Sequence, residues 1–176
     1  MDELRFKSEA FAYAQLLHCG LADCGTGIVP HCYGWFDLGT REIEKILALP
    51  YDPSVIREPR MMRPGTFEAK AIVFEYFPGA QYLSSRYFTD AVAEEALRTL
   101  HEIHSAYIYH RRIRPQSILI VPVGDGGSVV RLLWHDFANS VSLWRPVHAD
   151  PPGRRDLLGE LAYLWESFYH YWVRQI

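Results

Sequence analysis

Residues 117–137, SILIVPVGDGGSVVRLLWHDF, constrain the fold of this chain more than any other stretch. "SILIVPV" and "SVVRLLW" are short runs rich in β-branched and aliphatic residues, and the "GDGG" between them is a turn signal. Two such runs around such a turn predict a β-hairpin. The polar "HDFANS" follows with no linker. Upstream, Asp90 stands where it can cap a helix. In that helix Val92, Ala96, Leu100 and Ile103 fall three or four apart, as do Ala93, Leu97 and His104. Downstream, after "PPGRR", a long apolar helix is expected from Asp156 to the end of the chain. It carries one stripe of Leu157, Leu161, Leu164, Phe168 and Trp172, and a second of Leu158, Ala162, Trp165, Tyr169 and Val173. So apolar a helix is expected to be buried on most sides.

The first eighty residues are less regular. Leu4, Phe6, Phe11, Ala14 and Leu17 give a loosely helical spacing over residues 3–18, ended by Gly20. Tyr33, Trp35 and Phe36 form a strand-like run punctuated by Pro30 and Gly34. "REIEKILAL" fits a short helix or a strand, and the proline-rich "PYDPSVIREPRMMRPG" an irregular connection. "EAKAIVFEYFPGAQYL" predicts a buried strand over Ala71–Phe77, stopped by "PG".

Composition narrows the class. Of 176 residues 49% are hydrophobic and 14% aromatic, which suits a packed core and not a disordered chain. A net charge of -3 and a pI near 6.2 give no general affinity for nucleic acid or acidic membranes, despite the local "HRRIR" cluster. No signal peptide or membrane span is expected, which points to the cytoplasm. Cys19, Cys24 and Cys32 read as reduced thiols. A zinc site with His18 or His31 is the alternative, but the spacing matches no standard finger. His101 and His104 lie three apart on one helix face, a spacing open to metal ligation or to simple packing.

The order of elements, together with "IHSAYIYHRRIRPQSILI" and "LLWHDFANS", resembles the protein-kinase-like superfamily, most nearly its small fungal kinase-like proteins. His110 and Arg111 match the opening of the catalytic loop. Arg112 stands where the family has the aspartate that accepts the substrate proton. Arg114 and Pro115 keep the family pattern, and Ser117 replaces a metal-binding asparagine. Asp136 and Phe137, nineteen residues after Ser117, match the metal-binding segment, with Ala138 in place of its glycine. Glu9 falls where the helix glutamate that pairs with the ATP-anchoring lysine would be. Glu75, Tyr76 and Phe77 fall at the adenine hinge, and Asp156 where an aspartate braces the loop.

The resemblance implies an α+β, truncated kinase-like fold over residues 1–176 as a single domain. Residues 1–80 would be a small-lobe remnant with the hinge, and 81–176 a large-lobe remnant. It also implies a chain that begins at the helix after the glycine-rich cover and its lysine. Lys7 and Lys70 lie nearby, neither in the expected place. Arginine stays protonated in proteins, so Arg112 cannot serve as the base. The expected function is therefore a binding or scaffolding module without phosphoryl transfer, with neither cofactor nor metal. A small molecule or protein partner would occupy an open cleft lined by Arg112, Arg114, Ser117, Glu9, Glu75, Tyr76, Phe77 and Phe137. Arg112 would either anchor an anionic ligand or pair with Asp136 or Glu9. The alternative is an enzyme of another class, with His135, Asp136 and His110 performing acid–base chemistry (isomerisation, cyclisation or dehydration) on a small hydrophobic metabolite. A homodimer through residues 157–176 is also expected, because no later helix covers the last one.

Overall fold

The computed structural model describes residues 3–48, 69–123, 129–142 and 151–173. The expected proline-rich connection and the "GDGG" turn lie outside them, as do the side chains of Tyr169, Trp172 and Val173. The fold is α+β. In chain order it runs α1 (Glu3–His18), β1 (Cys32–Leu38), α2 (Thr40–Leu47), β2 (Ala69–Phe74), β3 (Gln81–Tyr82), α3 (Asp90–Ser105), β4 (Ile108–Tyr109), β5 (Ile118–Val123), β6 (Val129–Trp134), β7 (Val141–Ser142) and α4 (Pro151–Val173). Among the described residues the strands form antiparallel sheets ordered β1–β2, β3–β5–β6 and β4–β7.

The hairpin forms as its sequence predicts. β5 and β6 pair from Ile118 opposite Trp134 to Val123 opposite Val129. Alternation places Ile118, Ile120, Leu132 and Trp134 in the core. Trp134 is fully buried, and its indole N–H donates to Thr99 Oγ1 at 2.9 Å, which joins the hairpin to α3. In α3 the predicted face of Val92, Ala96, Leu100 and Ile103 is buried. Its cap is one residue earlier than expected. Thr89 Oγ1 accepts the Val92 N–H at 3.2 Å, and Asp90 is the first helical residue, where its charge faces the free amide ends.

Two expectations about buried faces are corrected, and the helical spacing of α1 does not mark its buried face. On α1 the apolar residues Leu4, Phe11 and Leu17 are exposed, while Phe6, Glu9, Ala10, Tyr13, Gln15 and Leu16 are buried. The inward face carries two polar groups because each has a partner there. Gln15 donates to the Ala106 carbonyl, and Glu9 meets the 136–137 turn. The strand expected over Ala71–Phe77 ends at Phe74 and is only partly buried, since it pairs with β1 alone. A bulge between Cys32 and Gly34 shifts that register, and Gly34 takes φ 132°, which a side chain would resist.

Finally, α4 is not buried on most sides. Leu164 and Phe168 are buried and Leu157 and Leu161 partly so, but Leu158 is 66% exposed, Trp165 58% and Ala162 also open. One stripe meets the core and the other faces outward. No helix among the described residues is long and apolar enough to cross a membrane.

Candidate functional site

The segment that follows α3 is shaped by backbone strain and by a single buried carboxylate. Tyr107 (φ 57°) and Arg111 (φ 60°) take left-handed conformations unusual for such side chains. Glu160, 5% exposed on α4, holds the second of these in place, and the Tyr107 N–H donates to the His104 carbonyl at 2.9 Å. Glu160 Oε2 accepts the His110 N–H at 2.9 Å and lies 3.0 Å from His104 Nε2, and its Oε1 accepts the Arg111 N–H. Asp156, the expected brace, is exposed. α4 starts five residues earlier, at Pro151, so Asp156 falls on its outer surface and the residue one turn later reaches the loop. His104 is thereby placed as a packing partner of Glu160, and His101 is exposed. At the other end of the loop Ser117 is fully buried. Its Oγ donates to the Arg112 carbonyl at 2.7 Å, its N–H to the Arg114 carbonyl at 2.8 Å, and its own carbonyl accepts the His135 N–H at 3.0 Å. Ser117 fastens the loop to the hairpin, with its hydroxyl committed to the Arg112 carbonyl.

These fastenings bring Arg112 and Arg114 onto Asp136. Arg112 Nη1 lies 3.0 Å from Asp136 Oδ2, and Arg114 Nη2 lies 3.2 Å from the same oxygen. Asp136 itself is left-handed (φ 67°), a conformation aspartate tolerates better than most residues. Phe137, fully buried, packs edge-on against Tyr13 at 5.3 Å and tilted against His110 at 4.6 Å. Tyr13 in turn meets Phe74 at 4.6 Å. An aromatic column thus runs from β2 through α1 and the 136–137 turn to the loop.

Glu9 enters this cluster from α1. Burial pushes its carboxyl up to about 7, and the Asp136 charge adds to this; the Phe137 N–H and the Arg112 guanidinium act the other way, too weakly to cancel it. The folded pKa lies above the ordinary 4.5, so this contribution to stability is full below about 4.5 and is lost as pH rises through about 7. Glu9→Gln keeps an acceptor for the Phe137 N–H and removes the titration. The variant should be more stable than the parent at pH 8, by about 3 kcal/mol, with the gap closing near pH 5. Urea denaturation at the two pH values measures this; a gap independent of pH would show that Glu9 does not titrate as described.

The three groups expected to form an acid–base unit are not arranged as one. His110 is fully buried, and its Nε2–H donates to the His135 carbonyl at 3.1 Å. Burial lowers its pKa to about 3, and the one proton its ring carries is committed to that carbonyl. The His135 ring stacks on Tyr82 at 5.6 Å, and burial lowers its pKa also. The Asp136 carboxylate is taken up by the two arginines. The hinge residues have other neighbours. Glu75 accepts from the His31 N–H at 3.4 Å and the Cys24 thiol at 3.6 Å, Tyr76 is 83% exposed, and Phe77 lies beneath the Arg131 guanidinium at 5.7 Å. His31 Nδ1 is 2.7 Å from the Ala22 carbonyl, Cys32 is buried, and Cys19 and Cys24 are exposed.

Glu160 is the residue that sequence reasoning missed. Its signal was present: a lone acid one turn before Leu164 on the stripe that continues to Phe168. A charge on an apolar face needs a buried partner. No protein-family model and no curated protein matches the chain.

Proposed function

We propose that this chain is a degenerate protein-kinase-like domain that binds a partner and transfers no phosphoryl group. The observation that carries this reading is the Arg112–Asp136–Arg114 cluster. Phosphoryl transfer needs a carboxylate free to hold a metal and a second to orient the nucleophile. Here one carboxylate is neutralised by two guanidinium groups, and arginine occupies the position of the other. Ser117, in the place of the second metal ligand, is buried and already hydrogen-bonded. Supporting the kinase-like part of the reading are the order of helices, hairpin and 136–137 turn, and a buried acid on α4 that grips the loop backbone.

The partner would meet the face bounded by residues 75–80 and 135–137. There Arg112 and Arg114, about one-third exposed, offer further N–H donors to an acidic group. Purified protein incubated with magnesium and ATP should release no phosphate above a protein-free blank and should not phosphorylate itself. Its melting temperature with ATP should be the same with and without magnesium. Magnesium-dependent turnover that disappears in Asp136→Asn would overturn the proposal.

A further inference from the structure

A second hollow lies away from the loop, between the start of α3 and the later half of α4. It encloses about 330 Å³ and is walled by Phe88, Ala93, Trp165 and Phe168, with Asp90 and Glu94 among its lining. We propose that it binds a hydrophobic ammonium ion, an apolar body with a cationic head.

The size is at the lower end of what small-molecule sites enclose, about 300–1,000 Å³. Phe88 and Phe168 meet edge to face at 5.0 Å, so two aromatic walls are locked against each other before any ligand arrives. Trp165 stands at the mouth, more than half exposed. Among the described residues that line it, the charged ones, Asp90 and Glu94, are both acidic. Neither Asp90 nor Glu94 has an ion-pair partner among the described residues. Arg98, the nearest arginine along α3, is held by Glu95 at 2.7 Å and also by Glu102. Arg86 lies over the Tyr87 ring at 4.6 Å. Asp90 sits in the first turn of α3, beside the free helix amides; Glu94 lies beyond their reach.

These features select among ligands. An anion would be repelled by Glu94. A neutral apolar molecule would fill the walls and leave both carboxylates without a counter-charge. A cation with an apolar body satisfies both, since aromatic faces attract alkylated ammonium groups and the carboxylates pair with the charge. This site is independent of how the 109–117 loop is read.

Isothermal titration with hexyltrimethylammonium, 1-hexanol and hexanoate tests the assignment on the full chain. The cation should bind saturably with one site per chain, about tenfold more tightly than the alcohol, and hexanoate should not bind. Glu94→Gln, at an exposed position, should weaken the cation about tenfold and leave the alcohol unchanged. Trp165→Leu should weaken both. Equal affinities for cation and alcohol, or cation affinity unchanged in both variants, would overturn the proposal. So would the absence of binding. Sedimentation of the same samples identifies the competing occupant: no cation binding together with a stable dimer that is lost in Trp165→Leu would mean that a second copy fills the hollow, and would overturn the proposal.

Discussion

Replacing Glu160 by alanine should lower the free energy of unfolding by about 3–5 kcal/mol, the cost of removing one partner from a buried charged cluster. Three donors depend on this carboxylate: the backbone N–H groups of His110 and Arg111 and the ring of His104. Without it the His110 N–H and the His104 ring are left in sites that water does not reach, where an unsatisfied donor costs about 1–3 kcal/mol, while the Arg111 N–H is only partly buried. The left-handed backbone at Arg111 also loses what holds it. Glu160→Gln should fall between parent and alanine, since its amide keeps one acceptor and turns a second donor towards the loop. Urea denaturation of the three proteins measures the series. A loss below about 1 kcal/mol in the alanine variant would show that the loop holds its shape without α4.

Trp134→Ala should cost a comparable amount, about 3–5 kcal/mol, for a different reason. Trp134 is fully buried where the hairpin, α3 and the loop meet, and its ring lies 5.4 Å from that of His110. Truncation opens a large void and strands little polarity, because Thr99 Oγ1 already donates to the Glu95 carbonyl at 2.8 Å. Packing therefore accounts for most of the effect. Thr99→Val, which removes the hydroxyl at nearly constant volume and strands the indole N–H, should cost about 1–3 kcal/mol. If the two losses were equal, the indole hydrogen bond and not the burial would be what matters. His110 gives acid sensitivity as well. Its folded pKa of about 3 lies below the ordinary 6.5, so the stability tied to its neutral form is lost as pH falls from 6.5 towards 3, opposite in sign to Glu9.

What could be read from the sequence follows how local its causes are. The pairing of β5 with β6 and the buried face of α3 follow from the local pattern of apolar residues, and both were legible. The inward face of α1 was not. Its choice is set by groups far along the chain: the Ala106 carbonyl for Gln15, and the 136–137 turn for Glu9. Periodicity ranks side chains by apolarity and cannot foresee that a polar one has been promised a partner. The same holds at the loop. Arg112 pairing with Asp136 could be named as one of several outcomes, because opposite charges at resembling positions attract. The participation of Arg114 in the same pair needed coordinates. For α4 the sequence showed two apolar stripes and could not say that only one meets the core.

The geometry of α4 has one more consequence. Glu160 grips the loop, and Trp165 and Phe168 wall the hollow only one to two turns further along the same rigid rod. A molecule that pulls this helix towards α3 would carry the carboxylate with it and alter its hold on His110 and Arg111. Were that to change what binds at the arginines above Asp136, a ligand there would in turn change the affinity of the hollow by the same factor.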